Sequence, residues 1–326
     1  MNRRALLKLI ALGALPASAG AQQPGKVWRI GFLYGGSRQS ALDTGRYPAF
    51  LQGMRELGYV ENKNFTLIER YSPNAESALT VAKELLNAQP DVILVSGGTS
   101  LQALYKLTTT VPVVVAVSTD PLRQGIAESL ARPGKNFTGL SAVLTDLFPK
   151  HVEIIKAAAP RTSRLAILMN PQNGSHAGLA KLVEAAAQEH KMRAQLVSVS
   201  ASLDFEAAFA EMQRQRAEAL LMLGDSFFVQ HFPEIAKLTI KHRMISTYSG
   251  REYPEVGGFL SYGPNFRDLY RRTAKFVDKI LKGAKAGDLP FEQPTKFELV
   301  INRSTAKALG VRIPDELVLR ADAIID

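Results

Sequence analysis

The chain has 326 residues, of which 46% are hydrophobic and 21% charged, and it contains no cysteine. That size and balance exclude a disordered chain and give enough apolar mass for two domains with a core each, while the lack of cysteine excludes disulfides, a lipid-modified cysteine and thiolate metal clusters. The formal net charge is +10. It is spread along the chain, with Arg271-Arg272 the densest basic pair outside the first residues and no basic helix face, so nucleic-acid binding is not expected.

Met1 to Ala21 has the pattern of an export signal. Arg3 and Arg4 precede an apolar stretch from Leu9 to Leu15, followed by Pro16 and by Ala19-Gly20-Ala21, the small-x-small pattern of a signal-peptidase site. An apolar run of roughly ten residues falls short of the ~20 that a helix needs to cross a bilayer. Asn2 to Lys8 also resembles a twin-arginine signal, with Leu6 where that pattern prefers Phe, so the export route is open. Cleavage near Ala21 would remove Arg3, Arg4 and Lys8 and leave about 305 residues at a charge of about +7. The expected product is a free periplasmic monomer.

Beyond a polar linker, Val27 to Tyr34 reads as a buried strand running into the loop Gly35-Gly36-Ser37. A helix through Phe50, Met54 and Leu57 follows, closed by Gly58. The unit then repeats: strand Phe65 to Tyr71, helix Glu76 to Ala88, strand Asp91 to Ser96, loop Gly97-Gly98, a helix from Thr99, and strand Val113 to Val117. A second half starts the alternation again with helix Asp146 to Ala158 and strand Arg164 to Asn170. Helix Ala177 to His190, strand Ala194 to Val199, helix Phe205 to Arg216, strand Ala219 to Leu223, helix Phe227 to His242 and strand Met244 to Thr247 complete it. A tail adds strand Gly258 to Tyr262, helix Arg267 to Leu281, strand Phe297 to Asn302 and helix Ser304 to Leu309. Strands alternating with helices predict an α/β protein of two doubly wound parallel-sheet lobes, joined by several crossings, with a cleft between the carboxyl ends of the sheets. The expected lobes are 27–143 plus about 258–283, and 144–257 plus about 284–326.

The residues argue against several chemistries. Five scattered His residues without Cys make no transition-metal cluster. Gly-x-Ser-x-Gly, Gly-x-Gly-x-x-Gly and Gly-Lys-Ser/Thr are all absent, so neither a serine hydrolase nor a bound dinucleotide or nucleotide is expected. No cofactor and no catalysis are expected. What the strand-end loops carry is hydroxyls, amides and single carboxylates. Gly97-Gly98-Thr99-Ser100 opens a helix and offers free N–H groups with two hydroxyls, although either hydroxyl could instead cap its own helix. Ser118, Thr119 and Asp120 end the next strand, and Asn170, Asp225 and Tyr248 follow strands of the second half. Asp225 is the candidate partner for a ligand cation, with capping of the helix near Phe227 as its alternative role. Tyr34 and Tyr248 could wall the cleft or belong to the core.

Three longer phrases carry a resemblance. Glu56 to Asn64, Asp120-Pro121 followed by Ser129 to Gly139, and Glu292 to Asn302 are similar to the ABC transporter substrate-binding family that includes tryptophan-binding uptake proteins. The resemblance covers nearly the whole mature chain. It implies a type I periplasmic-binding-protein fold, hinge closure over a small solute such as an amino acid, aromatic ones favoured, and delivery to an inner-membrane permease with its cytoplasmic ATPase. It also implies that Thr99 and Ser100 hold a ligand carboxylate, that Asp225 holds its amino group, and that Asn170 and Tyr248 complete the pocket. A periplasmic sensor acting on a receptor kinase is the alternative use of such a clamshell. A repressor core would need a helix-turn-helix before Val27, where the leader stands.

Overall fold

The computed structural model describes residues 26–142, 144–200 and 204–326. The export signal expected at Met1 to Ala21 lies outside them. The first lobe opens with β1 (Trp28–Tyr34), α1 (Arg38–Asp43), α2 (Arg46–Glu56), β2 (Phe65–Tyr71), α3 (Ala75–Asn87), β3 (Val92–Ser96), α4 (Gly98–Leu107), β4 (Val113–Ser118) and β5 (Phe137–Ser141). The chain crosses into the second lobe and forms α5 (Leu144–Ala158), β6 (Arg164–Met169), α6 (His176–Glu189), β7 (Arg193–Ser198), α7 (Phe205–Arg214), β8 (Ala219–Met222), α8 (Ser226–Gln230), α9 (Phe232–Lys241), β9 (Ile245–Tyr248), α10 (Glu252–Glu255) and β10 (Leu260–Gly263). It returns to the first lobe for α11 (Phe266–Leu281) and β11 (Phe291–Glu292). It then ends in the second with β12 (Glu298–Asn302), α12 (Arg303–Leu309), α13 (Asp315–Arg320) and β13 (Ala323–Ile325).

The first sheet is wholly parallel, in the order β11-β5-β4-β3-β1-β2, and the second runs β13-β12-β10-β9-β8-β6-β7 with β12 antiparallel to β10. Central strands such as β3 and β8 are buried at every position, as expected when helices cover both faces. Each sheet accordingly has two apolar clusters, one per face. In the first lobe, α2 and α11 approach so closely at Gly53 that a Cβ there would stand 2.2 Å from the Arg271 carbonyl oxygen.

Four expectations need correction. Segment 258–263 was expected in the first lobe, yet β10 pairs with β9 and β12 in the second sheet. Segment 284–292, expected in the second, places β11 on β5 at the edge of the first. The crossings therefore fall near 142–144, 264–265 and 293–297. The single helix expected over 227–242 is two, broken at His231, because Pro233 has no N–H to continue the ladder and starts α9 instead. Finally, β5 hides in the phrase 129–139. Its Gly139 has φ 138° and a Cβ there would lie 2.2 Å from the Val115 carbonyl oxygen, so the position that most disguises the strand is the one that lets it pair with β4.

Candidate ligand-binding cleft

Open parallel sheets leave a crevice where the strand order reverses, since the loops on either side of that point run in opposite directions. The reversal lies between β1 and β3 in the first sheet and between β6 and β8 in the second. The loops after these strands face one another across the lobes. A Cβ on Gly97 would stand 3.1 Å from Ser226 Oγ, and one on Gly98 3.1 Å from Asn173 Nδ2, so the two glycines set how closely the lobes meet. Gly97 also has φ 97°, which a side chain would strain. On the rim, Gln230 Nε2 donates to the Pro73 carbonyl at 3.2 Å.

Between the lobes lies a cavity of about 60 Å³ walled by Arg46, Ser96, Gly97 and Phe266 from one side and Asn173, Asp225 and Tyr248 from the other. It shares Gly98, Thr119, Gln124, Asn173 and Ser175 with a wider outer chamber of about 530 Å³, to which Lys106, Asp120 and Arg123 contribute. A tighter seam of about 10 Å³ runs between the lobes on the other side, past Thr99, Asn170 and Asp225.

Of the roles considered for Asp225, the structure shows the cap, and it adds a bond between loops. Its Oδ1 accepts from Phe227 N at 2.8 Å, capping α8, and its Oδ2 accepts from Asn173 Nδ2 at 2.7 Å, tying together the loops after β6 and β8. Each carboxylate oxygen retains further acceptor capacity. His176 Nε2 stands 3.8 Å from Oδ2. The His176 Nδ1 accepts from Asn170 N–H at 2.9 Å, which assigns the ring proton to Nε2, facing the Gly224 carbonyl at 3.2 Å. Burial holds the pKa of this His below its ordinary value, and Asp225 offsets only part of that. The ring is neutral, and among the described residues Asp225 has no other cation within ion-pair distance.

The remaining expected residues divide by place. Thr119 and Tyr248 join Asp225 at the inner cavity, where Tyr248 packs edge-on against Phe232 with ring centroids 4.7 Å apart. Thr99 and Asn170 flank the seam instead, and Asn170 Oδ1 is bonded to Gln172 N at 3.0 Å. Asp120 faces the outer chamber, its Oδ1 accepting from the backbone of Leu122 and Arg123. Ser118 is buried behind the cavity and donates to Gln124 Oε1 at 2.5 Å. Tyr34 and Ser100 are fully buried, and neither hydroxyl has a partner. Helix α4 is capped by Gly97 without a side-chain bond, so neither Thr99 nor Ser100 serves as its cap.

Sequence reasoning missed Arg46, Asn173, Ser175, Gln124 and Phe266. Asn173 stands in the loop phrase Asn170-Pro171-Gln172-Asn173, where the first Asn drew attention and the last carries the inter-loop bond. Arg46 opens a helix, where an arginine normally reads as solvated surface. Here it is 5% exposed: its Nε donates to Glu252 Oε1 at 3.1 Å, its plane lies over Phe266 with 4.7 Å to the ring centroid, and its Nη2 has no partner.

Two doubly wound lobes, crossed three times by the chain and sharing a polar cleft at their strand-order reversals, define the type I periplasmic-binding-protein class. Residues 39–325 match the family model described as ABC transporter substrate binding protein, and the chain belongs to that family. It is similar to the tyrosine-binding protein of Clostridioides difficile (strain R20291), at 21% identity over 264 residues that cover 81% of this chain and 76% of that one. Among solved structures, a conserved domain protein from Vibrio cholerae superposes with a TM-score of 0.84 at 25% identity, over 92% of this chain and 100% of that one. The ABC domain in complex with L-Trp from Streptococcus pneumonia gives 0.83 at 24% identity, with the same coverage of 92% and 100%. No helix among the described residues is long and apolar enough to cross a membrane.

Proposed function

We propose that this protein is exported and binds a free amino acid in its cleft, aromatic ones foremost. It closes its lobes over the ligand and hands it unchanged to an inner-membrane permease. The observation that carries the reading is the Asp225 carboxylate, buried to 8% side-chain exposure on a cavity shared by both lobes and left without a charged partner by the neutral His176. A carboxylate so placed favours a cationic guest, because leaving it unpaired in a closed site is costly. Across the cavity from it, α4 begins at Gly97 and Gly98, and the unpaired N–H groups of a helix start suit a carboxylate. Tyr248 and Phe266 supply apolar walls, and Thr119 and Asn170 add polar contacts at the cavity and the seam. The names of two relatives, one tyrosine-binding and one solved with L-Trp, support the same ligand class.

The test is calorimetry and thermal unfolding of the mature chain with aromatic, branched and small polar amino acids. A true ligand at about a hundredfold excess over its Kd stabilises the closed form by about 2.7 kcal/mol and raises the melting temperature accordingly. If none of the panel moves the transition at high excess, the reading fails. Asp225→Asn is expected to keep the α8 cap, since Asn caps as well as Asp, and so to change the stability of the empty protein by less than about 1 kcal/mol. Affinity for amino acids should nonetheless fall by tenfold or more, the scale of a lost charge-assisted bond of about 1.5–3 kcal/mol. Loss of stability with affinity intact would reduce Asp225 to a capping residue.

A further inference from the structure

Arg46 is the charged group on the wall of the inner cavity that the proposed function leaves unused. It starts α2 on the first lobe, lies almost wholly buried, and forms part of the wall of the inner cavity together with Ser96, Gly97 and Phe266. Its one ion pair, Nε to Glu252 Oε1 at 3.1 Å, spans the lobes, since α10 packs on β10 and β12 of the second sheet. Its stacking on Phe266 fixes the guanidinium plane. These two contacts leave Nη2 with protons to donate and no acceptor, while Glu252 Oε2, the other oxygen of the partner carboxylate, is buried without a donor. An arginine cannot shed its charge to relieve this, and a buried donor left unmade is destabilising, so the site is incomplete until an acceptor arrives.

We propose that Arg46 Nη2 donates to the carboxylate of the bound amino acid, which seats between this guanidinium and the start of α4. The inference rests on the amino-acid reading above and adds to it the group that makes a free carboxylate obligatory. The geometry gives the guest two charged ends to match: Arg46, beside Gly97 on the first lobe, meets the anion, and Asp225 on the second meets the ammonium. Glu252 holds Nε, and this fixes the orientation of the guanidinium in the structure. A ligand whose acid is blocked as an amide would present a donor to a donor.

The experiment measures by calorimetry, on the full mature chain, the binding of L-tryptophan, L-tyrosine and L-leucine, each beside its carboxamide. The wild type is expected to prefer the acid of any amino acid that binds by about thirtyfold or more, as for loss of a charged hydrogen bond. Arg46→Gln alone strands Glu252 in the interior and endangers folding, so the decisive variant is Arg46→Gln with Glu252→Gln, which leaves a neutral pair of similar shape. It should bind the acid at least tenfold more weakly and the amide as before, bringing the two together. Arg46→Lys, which keeps the charge but shortens the reach, should fall between. Unchanged acid affinity in the double variant, or equal loss of acid and amide, overturns the role of Arg46 while leaving the amino-acid reading in place. A wild type that takes amide and acid alike overturns it without recourse to any variant. A wild type that binds none of the three acids brings down the amino-acid reading and this inference together.

Discussion

His151 shows how a single side chain sets a solution property of the fold. It is buried between α5 and the second sheet, its Nδ1 2.7 Å from Thr247 Oγ1 and its ring edge-on to Tyr262, and burial pushes its pKa down to about 4. The native state therefore refuses a proton that the unfolded chain, with an ordinary His pKa, takes up. Stability is retained above about pH 6.5 and drains away as the pH falls toward 4, at up to about 1.4 kcal/mol per unit. The buried His176 acts in the same direction. Between pH 7 and pH 5 the contribution of His151 is about 2 kcal/mol. Urea unfolding of His151→Gln at the two pH values should show a dependence smaller by that amount, and an unaltered dependence would place the titration elsewhere. At this same scale the sequence was legible in part. Asp225 was recognisable as a cap because a carboxylate after a strand and before a helix is placed to accept the first free N–H groups. The burial of Arg46 was not recognisable, since what buries it is Glu252, 206 positions away in the chain.

Among the elements, the alternation of period-two and helical patterns located nearly every long strand and helix, and β2 spans Phe65–Tyr71 as expected. The strands that escaped share a cause. β11 and β13 have two and three residues, too few for a period to register, and their existence depends on partners supplied by β5 and β12. β5 escaped because its glycine is a tertiary requirement written into a local sequence. The contact of α2 with α11 makes a similar demand at Gly53. Gly53→Ala would gain about 1 kcal/mol of helix propensity, yet its methyl must displace α11, at a cost of about 1–3 kcal/mol or more. With a backbone oxygen at 2.2 Å the steric term should win. The variant is expected to lower the urea midpoint of unfolding, whereas a stabilised protein would show that the helices can part freely.

At the scale of the molecule, the cleft follows from repetition of one topology. Each lobe reverses strand order once, each reversal puts two loops at the same end of its sheet, and the crossings turn those ends toward each other. The lobes meet where glycine backbone stands against Ser226 and Asn173, and elsewhere through the Arg46–Glu252 pair and the contact of Arg267 with Glu255. Truncating Arg46 alone would leave Glu252 buried and unpaired, the situation that typically removes about 3–5 kcal/mol. The two-lobed plan was legible in the sequence because it needs only the order of elements. The exact membership of 258–292 was not, because it depends on which sheet edge is vacant when the chain returns.

The return of α11 to the first lobe also governs how the polypeptide matures. Phe266, Leu269, Tyr270, Ala274, Phe276 and Val277 sit in one apolar cluster with Ile30, Phe32 and Phe50. The earliest-translated strands thus stay half-covered until a helix encoded near the end has left the ribosome. Such distant partners make for late, slow consolidation. Until that helix docks, the first lobe has no finished core to protect it, so its strands are the ones a chaperone or a protease would meet first.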